Sequence, residues 1–148
     1  MIPAKHKTAV VITTCTLRKT ARPPFGSTPA SLPLGPQKTV QAAWIEKIRT
    51  LPASMAAGLL YAGRGFGLAT GAAESAEAKL YILSAGLGLV PADRQVPLYG
   101  LTVSPGYSES IAARVTGEFD AAAWFAALLS SSRSDQWLKQ PVRTPVAF

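Results

Sequence analysis

Cysteine and histidine are almost missing from this chain: its 148 residues contain one of each, Cys15 and His6. One cysteine excludes an internal disulfide framework, and the pair leaves no ligand set for a conventional zinc centre. Neither a metal nor a cofactor is expected. No apolar run approaches the roughly 20 residues needed to span a bilayer, so no membrane contact is expected either. Lys5 and Lys7 precede only a short apolar stretch that runs into Thr, Cys and Arg, which does not read as a signal peptide. The expected setting is therefore cytoplasmic. A Rossmann G-x-G-x-x-G opening a helix and a P-loop are both absent, which removes the two commonest nucleotide fingerprints. Acids are scarce in one region. Residues 1–49 carry eight bases and only Glu46 against them, while residues 50–148 balance seven bases with seven acids.

The formal net charge of +7 thus belongs to the first third of the chain. Such a patch attracts polyanions and makes any nucleic-acid binding salt-dependent; a solubilising basic arm is the plainer alternative. With 48% hydrophobic residues the chain is not disordered, and its length suits one domain with a buried core.

Residues 8–14, TAVVITT, read as a strand buried on both faces. Five prolines between Arg22 and Pro36 mark residues 20–37 as a long loop. Residues 38–50 put Val40, Ala43, Trp44, Ile48 and, just beyond, Leu51 on one helical face, and Pro52 ends the helix. Residues 66–78 suit a helix weakened by Gly67 and Gly71, and 79–84, KLYILS, a second buried strand. AGLGLVPADRQVPLYG reads as a loop. Residues 108–117 and 120–131 have helical composition, the latter capped by Asp120, and 132–148 read as a loose tail. Strand–helix–strand–helix order with non-alternating strands predicts one α/β domain over 1–148: a small layered Rossmann-like fold with a mostly parallel sheet flanked by helices.

In such sheets the ligand site lies beyond the carboxyl ends of the strands. The first strand delivers Thr13, Thr14, Cys15, Thr16, Arg18 and Lys19 there; the second delivers Ser84, Gly86, Gly88, Pro91 and Asp93. Hydroxyls and two cations can cradle a phosphate or carboxylate, Arg18 with a planar two-point contact. The same cations can activate Cys15 as a nucleophile, although a lone cysteine ending a buried strand also serves as a small core residue. Asp93 reads either as a general base or as half of a surface pair with Arg94. Tyr61, Phe66 and Tyr99 can stack a base or simply fill the core.

The ordered stretches VVITTCTLRK, LLYAGRGFGLATGAA and LYILSAGLGLVPADRQVPLYGLTV resemble an uncharacterised bacterial and archaeal domain family. Its members pair a strand ending in Cys-Ser-x-x-Lys with an ALY-x-G-x-x-F stretch, then LSA-x-x-GLV and P-x-x-x-I-x-x-Y. The same features resemble a domain of archaeosine synthase, which modifies a 7-deazaguanine base in transfer RNA. The second loop is more distantly similar to that of the DNA-binding peroxide-stress protein YaaA. The likeness spans residues 9–103. Cys15, Arg18, Lys19, Tyr61, Gly63, Phe66, Ser84, Gly88, Pro91, Asp93 and Tyr99 fall on its motif positions. Thr16 replaces the usual Ser, a proline-rich insertion lengthens the first loop, and Gly86-Leu87 replaces a more polar pair. The resemblance implies an α/β protein working on or near nucleic acid or a nucleotide, in nucleobase modification or phage defence. Cys15 and Asp93 are then the candidate catalytic residues. Thr14, Arg18, Lys19, Tyr61, Gly63, Phe66, Ser84, Gly88 and Tyr99 are candidates for ligand binding. The alternatives are a non-catalytic nucleic-acid-binding module or an interaction subunit of a defence or stress complex. For the latter, with a protein partner or a second copy of the chain, Trp44, Trp124 and Trp137 would supply a contact surface.

Overall fold

The structure, a computed structural model of the chain, describes residues 9–16, 19–23 and 26–131. The expected tail at 132–148 lies outside the described residues, as do Arg18 and Trp137. The β-branched run Val10–Thr14 forms β1 and Lys79–Ser84 forms β3, as their composition predicts. They pair in parallel, Val10 opposite Lys79 and Thr14 opposite Leu83. Between them lie α1 (Gln37–Thr50), the two-residue strand β2 (Met55–Ala56), the single turn α2 (Ala57–Leu60) and α3 (Arg64–Ser75).

The mostly parallel sheet is not what forms. Gly88–Pro91, expected within a loop, is strand β4, and it pairs antiparallel with β3 from Ser84–Gly88 to Tyr81–Pro91. Only three residues, Ala85–Leu87, join the two strands, and a parallel return needs a crossover of a dozen or more. The main sheet therefore has order β1-β3-β4 and mixed direction. Gln95–Val96 forms β5, which pairs with β2 in a separate two-stranded ribbon. The protein is a mixed α/β fold with a small sheet.

Helix α1 runs as expected and stops before Pro52. The predicted helix 66–78 is Arg64–Ser75 instead, because Glu77 takes a left-handed φ of 51° and turns the chain into β3. Residues 108–117 do not form a helix: only Ile111–Arg114 makes a 3-10 turn. Two bridges, Thr102 to Ser110 and the long-range Gly35 to Val115, hold its ends in extended backbone. The last helix, α4 (Ala121–Leu129), starts at Asp120, whose side chain accepts from the Ala123 N–H at 3.1 Å.

Helix α3 lies over β1 and β3, α4 packs on α1 and β4, and α2 touches β3 and β4. Trp44 of α1, Trp124 of α4, Ile82, Leu87, Tyr99 and Leu101 are fully buried between these layers. On β1 the alternation is uneven, since Ile12 is 42% exposed and Thr14 faces solvent. The strand expected to be buried on both faces is an edge strand with one face half open.

Candidate functional site at the carboxyl edge of the sheet

The β1–β3 ladder extends one residue beyond the strand, with the Cys15 N–H donating to the Leu83 carbonyl at 2.9 Å. That bond sets Cys15 beside the turn that leaves β3. There the Ala85 N–H points at its sulfur, 3.3 Å away. The thiol is half-buried and free. Beyond it the chain crosses over α2, where Lys19 forms an antiparallel bridge with Tyr61 and the Thr20 hydroxyl donates to the Leu59 carbonyl at 2.7 Å. The crossing carries the Lys19 ammonium over two rings, with Nζ 5.0 Å from the Tyr99 centroid and 5.9 Å from that of Tyr61. Nζ also donates to the Thr16 carbonyl at 3.4 Å. Burial lowers the Lys19 pKa from its usual value, while the charges of Glu109 and Cys15 act to raise it.

Beneath the lysine lies a closed cluster of hydroxyls. Tyr61, Ser84 and Tyr99 bond one another, with Tyr61 3.3 Å from Ser84. Ser84 Oγ also accepts the N–H groups of Gly86 at 3.2 Å and Leu87 at 3.0 Å. Burial pushes the Tyr61 and Tyr99 hydroxyls well above the ordinary phenol range, so both are neutral in the folded protein. Phe66 packs edge-on against Tyr61 at 5.6 Å. All three aromatic rings are core residues, at most 5% exposed. They offer no open face on which a base could stack.

The turn Ala85–Leu87 is pinned from the other side by two indoles. Trp44 Nε1 donates to the Gly86 carbonyl at 2.8 Å and Trp124 Nε1 to the Ala85 carbonyl at 2.7 Å. These two tryptophans, expected on a partner surface, are wholly buried. With two of its N–H groups taken by Ser84, the third facing the Cys15 sulfur, and two of its carbonyls held by tryptophans, the Gly-rich turn is a rigid hairpin. It is no phosphate cradle. Gly88 begins β4 with a left-handed φ of 84°.

Cys15, Lys19, Tyr61, Ser84 and Tyr99 therefore meet at one edge, and Thr14 ends β1 beside them, exposed. Gly63 joins them as the residue before α3: a methyl group there would stand 3.8 Å from Thr16 Cγ2. Asp93 does not. It follows β4, whose direction carries it back past Leu80, where the Ala92 N–H donates to the Leu80 carbonyl. Roughly five residues of strand, about 16 Å, separate it from the Ser84 end. Asp93 is exposed in the turn between β4 and β5.

Glu109 is a member of this neighbourhood that the residue pattern did not reveal. Its charge acts on Lys19, and it lies in a stretch expected to be helical that the Thr102–Ser110 bridge holds otherwise. The antiparallel hairpin did have a signal: two apolar runs, KLYILS and GLVP, separated by a few residues containing glycine. Among the described residues no cluster of three or more His, Cys, Asp or Glu can hold a metal ion, and no helix is long and apolar enough to cross a membrane. A shallow recess between α1, α4 and the hairpin is lined mainly by Ile45, Ile48, Arg49, Leu87 and Leu128. It contains none of the candidate site side chains.

No protein-family model matches the chain, and no curated protein or solved structure matches it either.

Proposed function

We propose that this is a cytoplasmic nucleotide- or nucleic-acid-binding α/β protein. Lys19 meets a ligand phosphate at the carboxyl edge of β1, beside the thiol of Cys15. The observation that carries the reading is the placement of Lys19. A cation is held half-buried over two tyrosine rings, next to the chain's one thiol, at the sheet edge where α/β folds bind ligands. The basic excess of residues 1–49 supports a polyanionic partner. The resemblance of the Cys15–Lys19 and Ser84–Tyr99 segments supports a place in nucleobase modification or phage defence, with Cys15 as the nucleophile.

A second reading, a non-catalytic binding or interaction subunit, is favoured by one specific feature. The hydroxyls of Tyr61, Ser84 and Tyr99 satisfy one another in the core, and Asp93 stands at the far end of the sheet. Cys15 would then have no carboxylate partner among the expected residues.

Binding of short DNA, RNA and mononucleotides across a salt series tests the site. Lys19→Gln is expected to weaken binding about tenfold, the worth of one charge-assisted contact, and to flatten the salt dependence by about one charge. Because Cys15 is the only cysteine, its alkylation rate reports on the same place, and bound nucleotide is expected to slow it. Unchanged affinity in Lys19→Gln together with unprotected Cys15 rules the site out. A folded Cys15→Ser protein that still binds but no longer forms product decides for the enzyme.

A further inference from the structure

Among the described residues β1 is the outer strand of its sheet, paired with β3 on one side only. The Lys79 N–H donates to the Ala9 carbonyl at 3.0 Å and the Cys15 N–H to the Leu83 carbonyl at 2.9 Å, so the odd-numbered residues turn their backbone groups toward β3. In a parallel ladder the residues between them turn the other way. Val10, Ile12 and Thr14 thus present their N–H and C=O groups to the open edge. Edge strands are usually blunted by charge, proline or a bulge. This one has none of these: VVITT is uncharged and lacks proline, and its register with β3 runs unbroken. Ile12, at its centre, is 42% exposed.

Helix α3 lies over the same strand and runs against it. Gly63 places its start near Thr16, and its end leads to Lys79, whose N–H meets Ala9. The middle of α3 therefore stands over the middle of β1. No residue from Gly65 to Ala73 is charged, and Leu68 is 68% exposed. Glycine weakens a helix, yet nothing among the described residues lies within 4 Å of a Cβ built at Gly65, Gly67 or Gly71. No neighbour in the described chain uses the room they leave.

We propose that this side of the molecule is an interface with a second copy of the chain, in which β1 pairs antiparallel with its own counterpart and joins two three-stranded sheets into one. A two-fold axis through Ile12 sets Val10 opposite Thr14 and Ile12 opposite itself, so every outward N–H meets a C=O. The strand is thus its own complement, and the half-open Ile12 is covered by Ile12. The same axis brings the uncharged middle of one α3 toward that of the other, where glycines allow close approach. Two chains of net charge +7 repel, and this surface adds no charge of its own to that repulsion. Strand and helix are each about 17–18 Å long and form two layers, an extent suited to the roughly 800 Å² that a standard interface takes from each partner. Neither Ile12 nor Leu68 belongs to the Lys19 site, so dimerisation stands or falls apart from ligand binding.

Sedimentation of the full chain from about 1 μM to 1 mM is expected to show a monomer–dimer equilibrium. Ile12→Lys places like charges across the axis, and Leu68→Glu does so in the helix layer; each is expected to weaken the dimer at least about tenfold, with circular dichroism checking the fold. Amide hydrogen exchange reads the register. On dimerisation Val10, Ile12 and Thr14 gain protection, while Val11 and Thr13, already bonded to β3, stay as they were. Should Ile12→Lys fail to fold, this alternating pattern in the parent protein decides alone. A monomer throughout the range overturns the proposal, and protected outer amides in that monomer would mean that another segment of the same chain covers the edge. A folded Ile12→Lys dimer as tight as the parent, or a dimer that leaves the three amides unprotected, forms through another surface and overturns it too. A Leu68→Glu dimer as tight as the parent overturns the helix half of the interface.

Discussion

Gly86 shows how much of this site depends on one missing side chain. A Cβ there would stand 2.4 Å and 2.8 Å from the Tyr99 ring carbons Cε2 and Cδ2, inside any van der Waals contact. The ring has no room to retreat, being fully buried, edge-on to Trp44 at 6.1 Å and hydrogen-bonded to Tyr61 and Ser84. Gly86→Ala is therefore expected to cost about 1–3 kcal/mol of overpacking, measured by urea unfolding. Because the displaced ring lies under Lys19, the same variant should also weaken anion binding. A fully stable Gly86→Ala protein would show that the ring can move. At this scale the sequence was partly legible. Residue types and order marked Cys15, Lys19, Tyr61, Ser84 and Tyr99, and the fold brings them together. Whether a tyrosine stacks a ligand or fills the core is decided by neighbours more than 20 residues away in sequence, such as Trp44 beside Tyr99 and Ser84 beside Tyr61, and no local pattern records them.

Among the elements, the β3–β4 hairpin joins the core to the site. Its turn contributes the N–H that meets the Cys15 sulfur, while its two carbonyls are held by indoles from α1 and α4. Each indole bond satisfies a buried carbonyl, and losing one leaves that carbonyl without its partner. Trp44→Phe and Trp124→Phe, which keep a ring in place, are each expected to cost about 1–3 kcal/mol in urea unfolding. Since the two carbonyls are consecutive, the double variant should depart from additivity by about 0.5 kcal/mol or more. Costs within error of zero for both would mean that the turn holds its shape without them. Strands β1 and β3 and helix α1 were legible because a buried β-branched run and a 3.6-residue apolar repeat are local signals. Strand β4 was not: Gly88 and Pro91 bound it, and both also mark loops. Its pairing is a property of the short turn, and that turn set the sheet as mixed. Residues 108–117 failed for the complementary reason, since helical composition there lost to two bridges outside the segment's own pattern, to Thr102 and to the distant Gly35.

For the whole molecule, charge and burial work together. Of the described bases in residues 1–49, Lys47 donates to the Gly26 carbonyl and Arg49 approaches Glu46 at 3.9 Å, while Lys19 reaches the site. The basic excess is therefore not one uniform coat, and the part of it that the proposed function uses is a cation set on a neutral, buried pair of phenols. That pair also sets an alkaline limit. Tyr61 and Tyr99 keep their protons in the folded state because burial raises both pKa values, whereas in the unfolded chain each ionises near pH 10. Above that pH the unfolded state binds fewer protons than the folded one, so stability falls as pH rises, by about 1.4 kcal/mol per pH unit for each tyrosine. Lys19 has the opposite sign. Its lowered pKa makes the folded state the proton-poorer one, so stability rises through the window between its folded and unfolded values and changes no further above about 10.4. The expected profile is a shallow rise below pH 10 followed by a steep fall above 10.5, approaching about 2.7 kcal/mol per pH unit. Urea unfolding between pH 9 and 12 measures it, and Tyr61→Phe should halve the slope of the fall whatever its effect on stability at neutral pH. A flat profile above pH 10.5 would mean that solvent reaches these hydroxyls in the folded protein, and the floor beneath Lys19 would then be open rather than closed.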